Sequence, residues 1–368
     1  MTLHDWQASP HNRWSFQHVD ELVPSVEISR GSGPSLELLD APSALDVELD
    51  EFLLRSYTDG LIVLHGRQVL VERYLNGMTP STRHLLQSVS KSMCAAVFGR
   101  FVEGGLVAVG EPVASYLPEL ADSAYGDATV QQVLDMTVAV HYDEEYTDPD
   151  SEVQTHERVG RWRTPLPTDP ASTYAFLATL GKAGEHGRSF VYCSANTEVL
   201  AWILERVSGR PFTELLQDHL WSQLGAQHDA SVTVDAARFP MASGGISVTL
   251  RDLARFGRML LDAGRGPDGV EVVPPAWIDA IRAGGDVAAA AEAMKDVHPR
   301  GSYRNQFWIT GDSHGCFYGV GIYGQYVWMD PTADVVIAKM SSLPRADDEV
   351  DWAEHVAFFG RLSHGLVR

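Results

Sequence analysis

The stretch that decides the fold is residues 88–105, which read SVSKSMCAAVFGRFVEGG. Apolar residues recur there at helical spacing, and Gly104-Gly105 ends the run. Residues 60–75 precede it as two apolar, β-branched runs around His65-Gly66-Arg67, a hairpin pattern. The order of these patterns predicts a helix that begins at Ser88 directly behind a β-hairpin.

Ser88 and Lys91 form a Ser-x-x-Lys motif, in which one helical turn brings the lysine over the serine. A serine hydroxyl is a weak nucleophile until a neighbouring base takes its proton. Lysine can act as that base where burial or nearby cations lower its pKa. The motif is short enough to occur by chance, and the alternative interpretation is a helix-capping serine beside a surface lysine.

Tyr192-Cys193-Ser194 lies just before the helical pattern at residues 196–209. A tyrosine in that position could share a proton with Lys91 and protonate a leaving group. The alternative interpretation is a buried tyrosine whose hydroxyl is satisfied within the core.

The run Gly319-Val320-Gly321-Ile322-Tyr323-Gly324 has the glycine spacing of a dinucleotide fingerprint. A strand pattern follows it where that fingerprint requires a helix, so nucleotide binding is not expected. We expect an edge strand whose small residues let backbone N–H groups approach a ligand. The acidic run at residues 143–152 lacks the register of a calcium loop, and we expect it to be a solvated loop.

Charge and composition exclude several classes of protein. The 368 residues carry 28 Lys and Arg against 49 Asp and Glu, a net charge of −21. This charge disfavours nucleic-acid partners and anionic membranes. Three distant cysteines give no disulfide framework, and no secretory signal or membrane-spanning stretch is found. We therefore expect a cytoplasmic protein.

Strand patterns lie towards both ends of the chain, with helical patterns between them. We expect an α+β fold in which an antiparallel sheet with flanking helices is built from both termini and a mainly helical subdomain is inserted. The expected boundaries are 1–105 and 240–368 for the sheet and 106–239 for the helical part. The chemistry is expected in the cleft between them, and the first 45 residues are expected to be an irregular surface arm.

The order of four segments resembles the serine β-lactamase and penicillin-binding-protein superfamily, in its class C and carboxylesterase branch. The segments are SVSKS at 88–92, the Tyr192 motif, SGGISVTLRDLARFGRML at 243–260 and the late Gly-x-Gly strand. The resemblance implies the β-lactamase/transpeptidase-like fold and an acyl-enzyme mechanism. It also implies a homodimer, and no metal or organic cofactor is expected.

The resemblance carries roles over to particular residues. It implies that Ser88 is the nucleophile, that Lys91 and Tyr192 handle protons, and that the backbone N–H groups of Ser88 and Ile322 form the oxyanion hole. The substrate-binding residues that it implies are Tyr146, Glu157, Ser243, Trp308 and Tyr323. Glu157 stands where the family carries an acid able to meet a substrate ammonium group.

Two departures from the superfamily pattern bear on the substrate. Gly319-Val320-Gly321 replaces the usual Lys-Thr-Gly or His-x-Gly, so the cation that grips a β-lactam carboxylate is missing, and the second motif ends in Ser194 where Asn is common. The expected activity is hydrolysis of small amides or esters. Two alternatives stay open: a β-lactamase or D,D-peptidase, and a non-catalytic binding protein on the same fold.

Overall fold

The computed structural model of the chain describes residues 1–43, 48–347 and 349–367. The strands are β1 Ser25–Ile28, β2 Leu39–Asp40, β3 Thr58–His65, β4 Gln68–Tyr74, β5 His84–Leu85, β6 Ala230–Thr233, β7 Ile246–Val248, β8 Ser302–Arg304, β9 Phe307–Ile309, β10 Phe317–Gly321, β11 Gln325–Asp330 and β12 Val335–Ser341. The α-helices are α1 Asn12–Ser15, α2 Leu49–Arg55, α3 Val89–Glu103, α4 Val130–Leu134, α5 Glu152–Val159, α6 Thr173–Leu177, α7 Ser194–Ser208, α8 Phe212–Leu216, α9 Leu250–Leu261, α10 Pro275–Ala283, α11 Val287–Met294 and α12 Glu349–His364.

The main sheet joins the two ends of the chain. Its eight strands lie in the order β2-β4-β3-β12-β11-β10-β9-β8, so strands from the first quarter of the sequence pair with strands from the last. The central pair, β3 and β12, is antiparallel and aligns Val63 with Ile337. Every pair is antiparallel except β2 with β4, which is parallel at one edge. A smaller sheet follows the order β1-β6-β7-β5.

Alternation along β11 sorts side chains to two faces of the main sheet. Tyr326 and Trp328 contact Phe359 of α12 on one face, at ring separations of 5.2 and 6.1 Å. On the other face, α9 packs closely: a Cβ at Gly257 would lie 3.1 Å from Val327. Helices therefore cover both faces of the sheet.

Helix α3 is central because it is buried on nearly all sides, from Val89 to Phe101. It contacts β10 and β11 of the main sheet and α7 and α8 of the helical segment. Its close approach to β10 requires a glycine, since a Cβ at Gly319 would lie 2.9 Å from the Ser92 Oγ. This packing sets the N-terminus of α3 at the junction of sheet and helices.

The α+β fold, the hairpin and the helix behind Ser88 are confirmed. The expectation of an edge strand agrees with the register of residues 319–321, because β11 pairs with the whole of β10 whereas β9 pairs only with Phe317 and Tyr318. The helix expected over 171–180 extends only over Thr173–Leu177. Helices α5, α10 and α11 and the smaller sheet were not predicted from the sequence.

The N-terminal segment is more than a surface arm. Trp6 and Phe16 are fully buried and form a cluster with Trp162 and Tyr323. Residues 44 and 45 of the expected arm lie outside the described residues. The subdomain boundaries stay a prediction, although residues 106–239 do contribute mostly helices and the strand β6. No helix in the described part of the chain has the length and apolar character to span a bilayer.

Candidate active site

The N-terminus of α3 places Ser88 and Lys91 side by side. Ser88 is the residue that precedes the helix, and Lys91 lies one turn later on the same face. The Lys91 Nζ donates to the Ser88 Oγ at 2.8 Å, to the Ser194 Oγ at 3.0 Å and to the Ser243 carbonyl oxygen at 2.9 Å. Three acceptors therefore fix a lysine that is 1% exposed, which rules out the alternative of a surface lysine.

Burial lowers the pKa of Lys91 to about 8, although the nearby Glu144 and Glu198 carboxylates act in the opposite direction. A lysine in this range can hold or release a proton near neutral pH. The arrangement therefore puts a titratable base in direct contact with the Ser88 hydroxyl.

Tyr192, which lies two residues before α7, is the third residue beside Ser88 and Lys91. Burial raises the pKa of its phenol far above the ordinary range, Glu144 raises it further, and a hydrogen bond with Ser88 partly offsets both. The Lys91 Nζ lies 5.0 Å from the centroid of the Tyr192 ring. Lys91 therefore contacts Ser88 directly and lies over the face of the Tyr192 ring, and a proton shared between Lys91 and Tyr192 stays a prediction.

Glu144 is a residue that the sequence analysis missed. Its Oε1 accepts hydrogen bonds from the Ser194 hydroxyl at 2.6 Å and the Tyr146 hydroxyl at 2.7 Å, and its Oε2 accepts one from the Ser194 N–H at 2.9 Å. The expectation that this acidic run is wholly solvated was wrong, because Glu144 points into the site. No local pattern in the sequence distinguishes it from its exposed neighbours Asp143 and Glu145.

Glu198 positions the segment that carries Ser243. Its carboxylate is fully buried and accepts from the backbone N–H groups of Ala242 at 2.9 Å and Ser243 at 3.0 Å. Burial raises its pKa to about 7. Glu198 thereby holds the Ser243 carbonyl against Lys91, a role that the periodicity of α7 could not reveal.

A cavity of about 460 Å³ opens over Ser88. Tyr192 and Trp308 stack at 5.8 Å to form one wall, and Trp352 packs against Trp308 at 4.8 Å. Ile322 lies at the end of β10, in the wall beside Ser88. The acidic residues that line this cavity are Glu144, Asp347 and Asp351. Its size fits a small-molecule ligand.

Of the residues expected at the substrate, Tyr146 and Trp308 line the cavity over Ser88, Glu157 and Ser243 line a smaller cavity that Ser88 also borders, and Tyr323 lines neither. Glu157 is buried, bonds to Arg163 and accepts from the Gln7 Nε2 at 3.0 Å, so its charge is already matched. Glu157, Tyr146 and Ser243 line a smaller cavity of about 30 Å³ beside Ser88. Tyr323 packs on Phe16 at 5.1 Å and belongs to the N-terminal cluster.

The fold and this arrangement define a class: serine hydrolases with the β-lactamase/transpeptidase-like fold. Residues 55–359 match the model of the beta-lactamase family, and the chain belongs to that family. It is 47% identical over 351 residues to the 6-aminohexanoate-dimer hydrolase of Paenarthrobacter ureafaciens, a match that covers 94% of this chain and 89% of that protein.

Solved structures agree with this assignment. A Bacillus anthracis protein described as a 6-aminohexanoate-dimer hydrolase superposes with a TM-score of 0.89 at 27% identity, over 99% of this chain and 97% of that one. A family VIII carboxylesterase shares the fold alone, with a TM-score of 0.60 at 15% identity over 86% of this chain and 99% of that one. The protein is a serine hydrolase, as the sequence predicted.

Proposed function

We propose that this protein hydrolyses small amides and esters through an acyl-enzyme on Ser88, and that the linear dimer of 6-aminohexanoate is among its substrates. The observation that carries the proposal is the 2.8 Å contact of the Lys91 Nζ with the Ser88 Oγ beneath the cavity. The similarity to a 6-aminohexanoate-dimer hydrolase over most of both chains supports the substrate.

The first step transfers the Ser88 hydroxyl proton to neutral Lys91. The Ser88 oxygen then bonds to the substrate carbonyl carbon, and the carbonyl π electrons move to oxygen. The backbone N–H groups of Ser88 and Ile322 are the proposed donors to that oxyanion, at the positive end of α3. A glycine at position 321 supports this, because a Cβ there would lie 2.9 Å from the Ser88 nitrogen.

The second step breaks the bond to the leaving group. Tyr192 gives its proton to the departing amine or alkoxide, and the proton that Lys91 took from Ser88 then restores the Tyr192 phenol. Water then attacks the ester carbonyl carbon and its proton passes to neutral Lys91. The bond from the acyl carbon to the Ser88 oxygen breaks, Lys91 returns the proton to that oxygen, and the acid leaves. Burial keeps the Tyr192 phenol protonated before the reaction, as a general acid requires.

The cavity favours an extended aliphatic chain with a cationic end. Val320, Trp308 and Trp352 supply apolar walls, while Asp347 and Asp351 supply negative charge at the same cavity. A methylene chain that ends in an ammonium group matches this pattern. We propose that the acids near the substrate ammonium are Glu157, in the smaller cavity beside Ser88, and Asp347 and Asp351, in the larger cavity.

A β-lactamase or D,D-peptidase is less well supported. Such substrates present a carboxylate, and the described residues that line the cavity include three acids and no Lys or Arg. A chromogenic cephalosporin tests this alternative directly, and slow or undetectable turnover is expected.

The test is hydrolysis of the 6-aminohexanoate linear dimer and of a nitrophenyl acetate, with intact mass measured during turnover. We expect an acyl adduct on the wild type, and Ser88→Ala to lose at least about a thousandfold in kcat. Ser92→Ala, one turn further along α3, is the matched control and should keep turnover. A Ser88→Ala rate above a tenth of the wild-type rate would refute the nucleophile.

The homodimer and the cytoplasmic location also remain proposals. The family resemblance supports the first, and three free, buried cysteines support the second. Light scattering on the purified protein and fractionation of the source cells test them.

A further inference from the structure

A cluster of metal-ligand side chains lies away from the active site, where the end of α12 meets the main sheet. Asp312 and Cys316 lie in the loop before β10, Asp330 ends β11, and His364 ends α12. His364 is thirteen residues beyond Asp351 on the same helix, about 20 Å along its axis. The cluster is thus separate from the cavity over Ser88.

The His364 Nε2 faces three donor atoms at nearly equal distances. The Asp312 Oδ2 is 3.8 Å away, the Asp330 Oδ2 is 3.9 Å away and the Cys316 Sγ is 4.0 Å away. These separations are too long for strong hydrogen bonds. They are close to the spacing of about 3.4 to 3.6 Å between donors around a tetrahedral Zn²⁺ ion.

Backbone contacts already orient both carboxylates. The Asp312 Oδ1 accepts from the N–H groups of His314 at 3.0 Å and Cys316 at 3.2 Å, which leaves Oδ2 directed at His364. The Asp330 Oδ1 accepts from Thr332 and Ala333 N–H groups at 3.0 and 2.8 Å. Such contacts around the ligands are typical of metal centres.

His314 adds a further support. Its Nδ1 lies 2.8 Å from the Asp330 Oδ2, and its ring stacks on the His364 ring at 3.7 Å. Cys316 and Asp330 are fully buried, whereas the His364 side chain is 40% exposed and leaves an entry path. Two carboxylates and a thiol lie here with two imidazole rings, and a divalent cation would neutralise the charge of the carboxylates.

We propose that Asp312, Cys316 and His364 bind a divalent transition metal, for which Zn²⁺ is the best fit, with Asp330 and His314 beside the site. Thiolate, imidazole and carboxylate donors together select zinc-like ions over Mg²⁺ or Ca²⁺. Binding releases the Cys316 thiol proton to solvent and forms the sulfur–metal bond. The ion would clamp the C-terminal end of α12 to the loop before β10.

This clamp would act on the helix that also carries Asp351 and Trp352 in the cavity wall. The ion is structural and takes no part in the proposed acyl-enzyme steps. Metal binding at this cluster is therefore independent of the hydrolysis proposed for Ser88.

The test is titration of chelator-treated full-length protein with Zn²⁺ and with Co²⁺. We expect one equivalent to bind, Zn²⁺ to raise the unfolding temperature, and Co²⁺ to give a thiolate charge-transfer band with intense tetrahedral d–d absorption. Wild type that gives neither the band nor the temperature shift would overturn the proposal, whatever the variants do.

Matched variants assign the ligands. Cys316→Ala should abolish the charge-transfer band, and His364→Ala should weaken Zn²⁺ binding at least tenfold. Cys94→Ala, another buried cysteine, and His11→Ala, a histidine beside Asp5, should bind as the wild type does. A band that persists in Cys316→Ala, or that disappears equally in Cys94→Ala, contradicts the assignment.

Discussion

Ser194 and Glu144 together shape the electrostatics around Lys91. Ser194 stands where related motifs often carry Asn, and its hydroxyl accepts from the Lys91 Nζ while donating to Glu144. The negative charge of Glu144 raises the pKa of Lys91 against the larger lowering by burial. The pKa of Lys91 therefore reflects burial on one side and, on the other, two carboxylates, Glu144 from a distant loop and Glu198 from α7.

This balance predicts the pH dependence of kcat/KM. Only neutral Lys91 can accept the Ser88 proton, so activity should rise with pH through about 8. Glu144→Gln removes the charge that favours protonated Lys91, and the rise should move to lower pH.

The control for this prediction is Glu145→Gln. Glu145 is exposed on the same loop, where it bonds with Thr147. Its loss should leave the pH profile in place, and an unmoved profile in Glu144→Gln would contradict the role given to Glu144.

Tyr192→Phe tests the proton donor. We expect amide turnover to fall by at least about a hundredfold, and nitrophenyl ester turnover by less than about tenfold, because nitrophenolate leaves without a proton. Tyr303→Phe, a neighbouring buried tyrosine 6.3 Å from the Tyr192 ring, should affect both substrates alike and weakly. Equal losses on amide and ester in Tyr192→Phe would argue against its role as the acid.

At the scale of elements, the site depends on how closely β10 approaches the start of α3. Gly321 ends β10 where a Cβ would lie 2.5 Å from the Leu86 carbonyl oxygen and 2.9 Å from the Ser88 nitrogen. Two backbones can come this close only without a side chain between them. The glycines of this strand therefore serve packing against α3, and not a nucleotide.

Gly321→Ala should separate β10 from α3. We expect a loss of about 1–3 kcal/mol in unfolding free energy, and at least about a tenfold fall in kcat for both substrates as the oxyanion donors move apart. Urea unfolding and steady-state kinetics measure the two effects.

Gly360→Ala on α12 is the matched control, because a Cβ there meets nothing within 4 Å. It should keep full activity and gain up to about 1 kcal/mol in unfolding free energy, because alanine favours a helix interior over glycine. Full activity in Gly321→Ala would show that this close approach is not needed for catalysis.

Across the whole molecule, the N-terminal segment joins parts that are far apart in sequence. The Trp6 Nε1 donates to the Trp162 carbonyl oxygen at 2.7 Å, and the Asn12 Nδ2 donates to the Leu343 carbonyl oxygen at 2.8 Å. Trp162 follows α5 in the helical segment, whereas Leu343 follows the last strand of the sheet. The segment thus holds both walls of the cleft.

Trp6→Ala should cost about 3–5 kcal/mol of unfolding free energy, since it removes a fully buried indole. Trp14, which is 43% exposed, offers the comparison: Trp14→Ala should change the free energy by less than about 0.5 kcal/mol. Denaturant unfolding measures the free energy of both variants. Equal losses of unfolding free energy in the two variants would mean that the N-terminal segment does not hold the two parts of the fold together.

The sequence by itself determined the features that depend on near neighbours. Helical spacing placed α3, apolar and β-branched runs placed β3 and β4, and one helical turn paired Ser88 with Lys91. The collinear motifs then identified the family. These features need only local periodicity and spacing, which a single chain displays directly.

Only the tertiary structure decided which distant residues meet. Glu144 reaches Ser194 across 50 residues, and Lys91 reaches Ser243 across 152. The contact of His364 with Cys316 spans 48 residues, and the register leaves β9 paired with β10 only at Phe317 and Tyr318. Such contacts follow from how helices and strands pack, and no local pattern in the chain encodes a partner that far away.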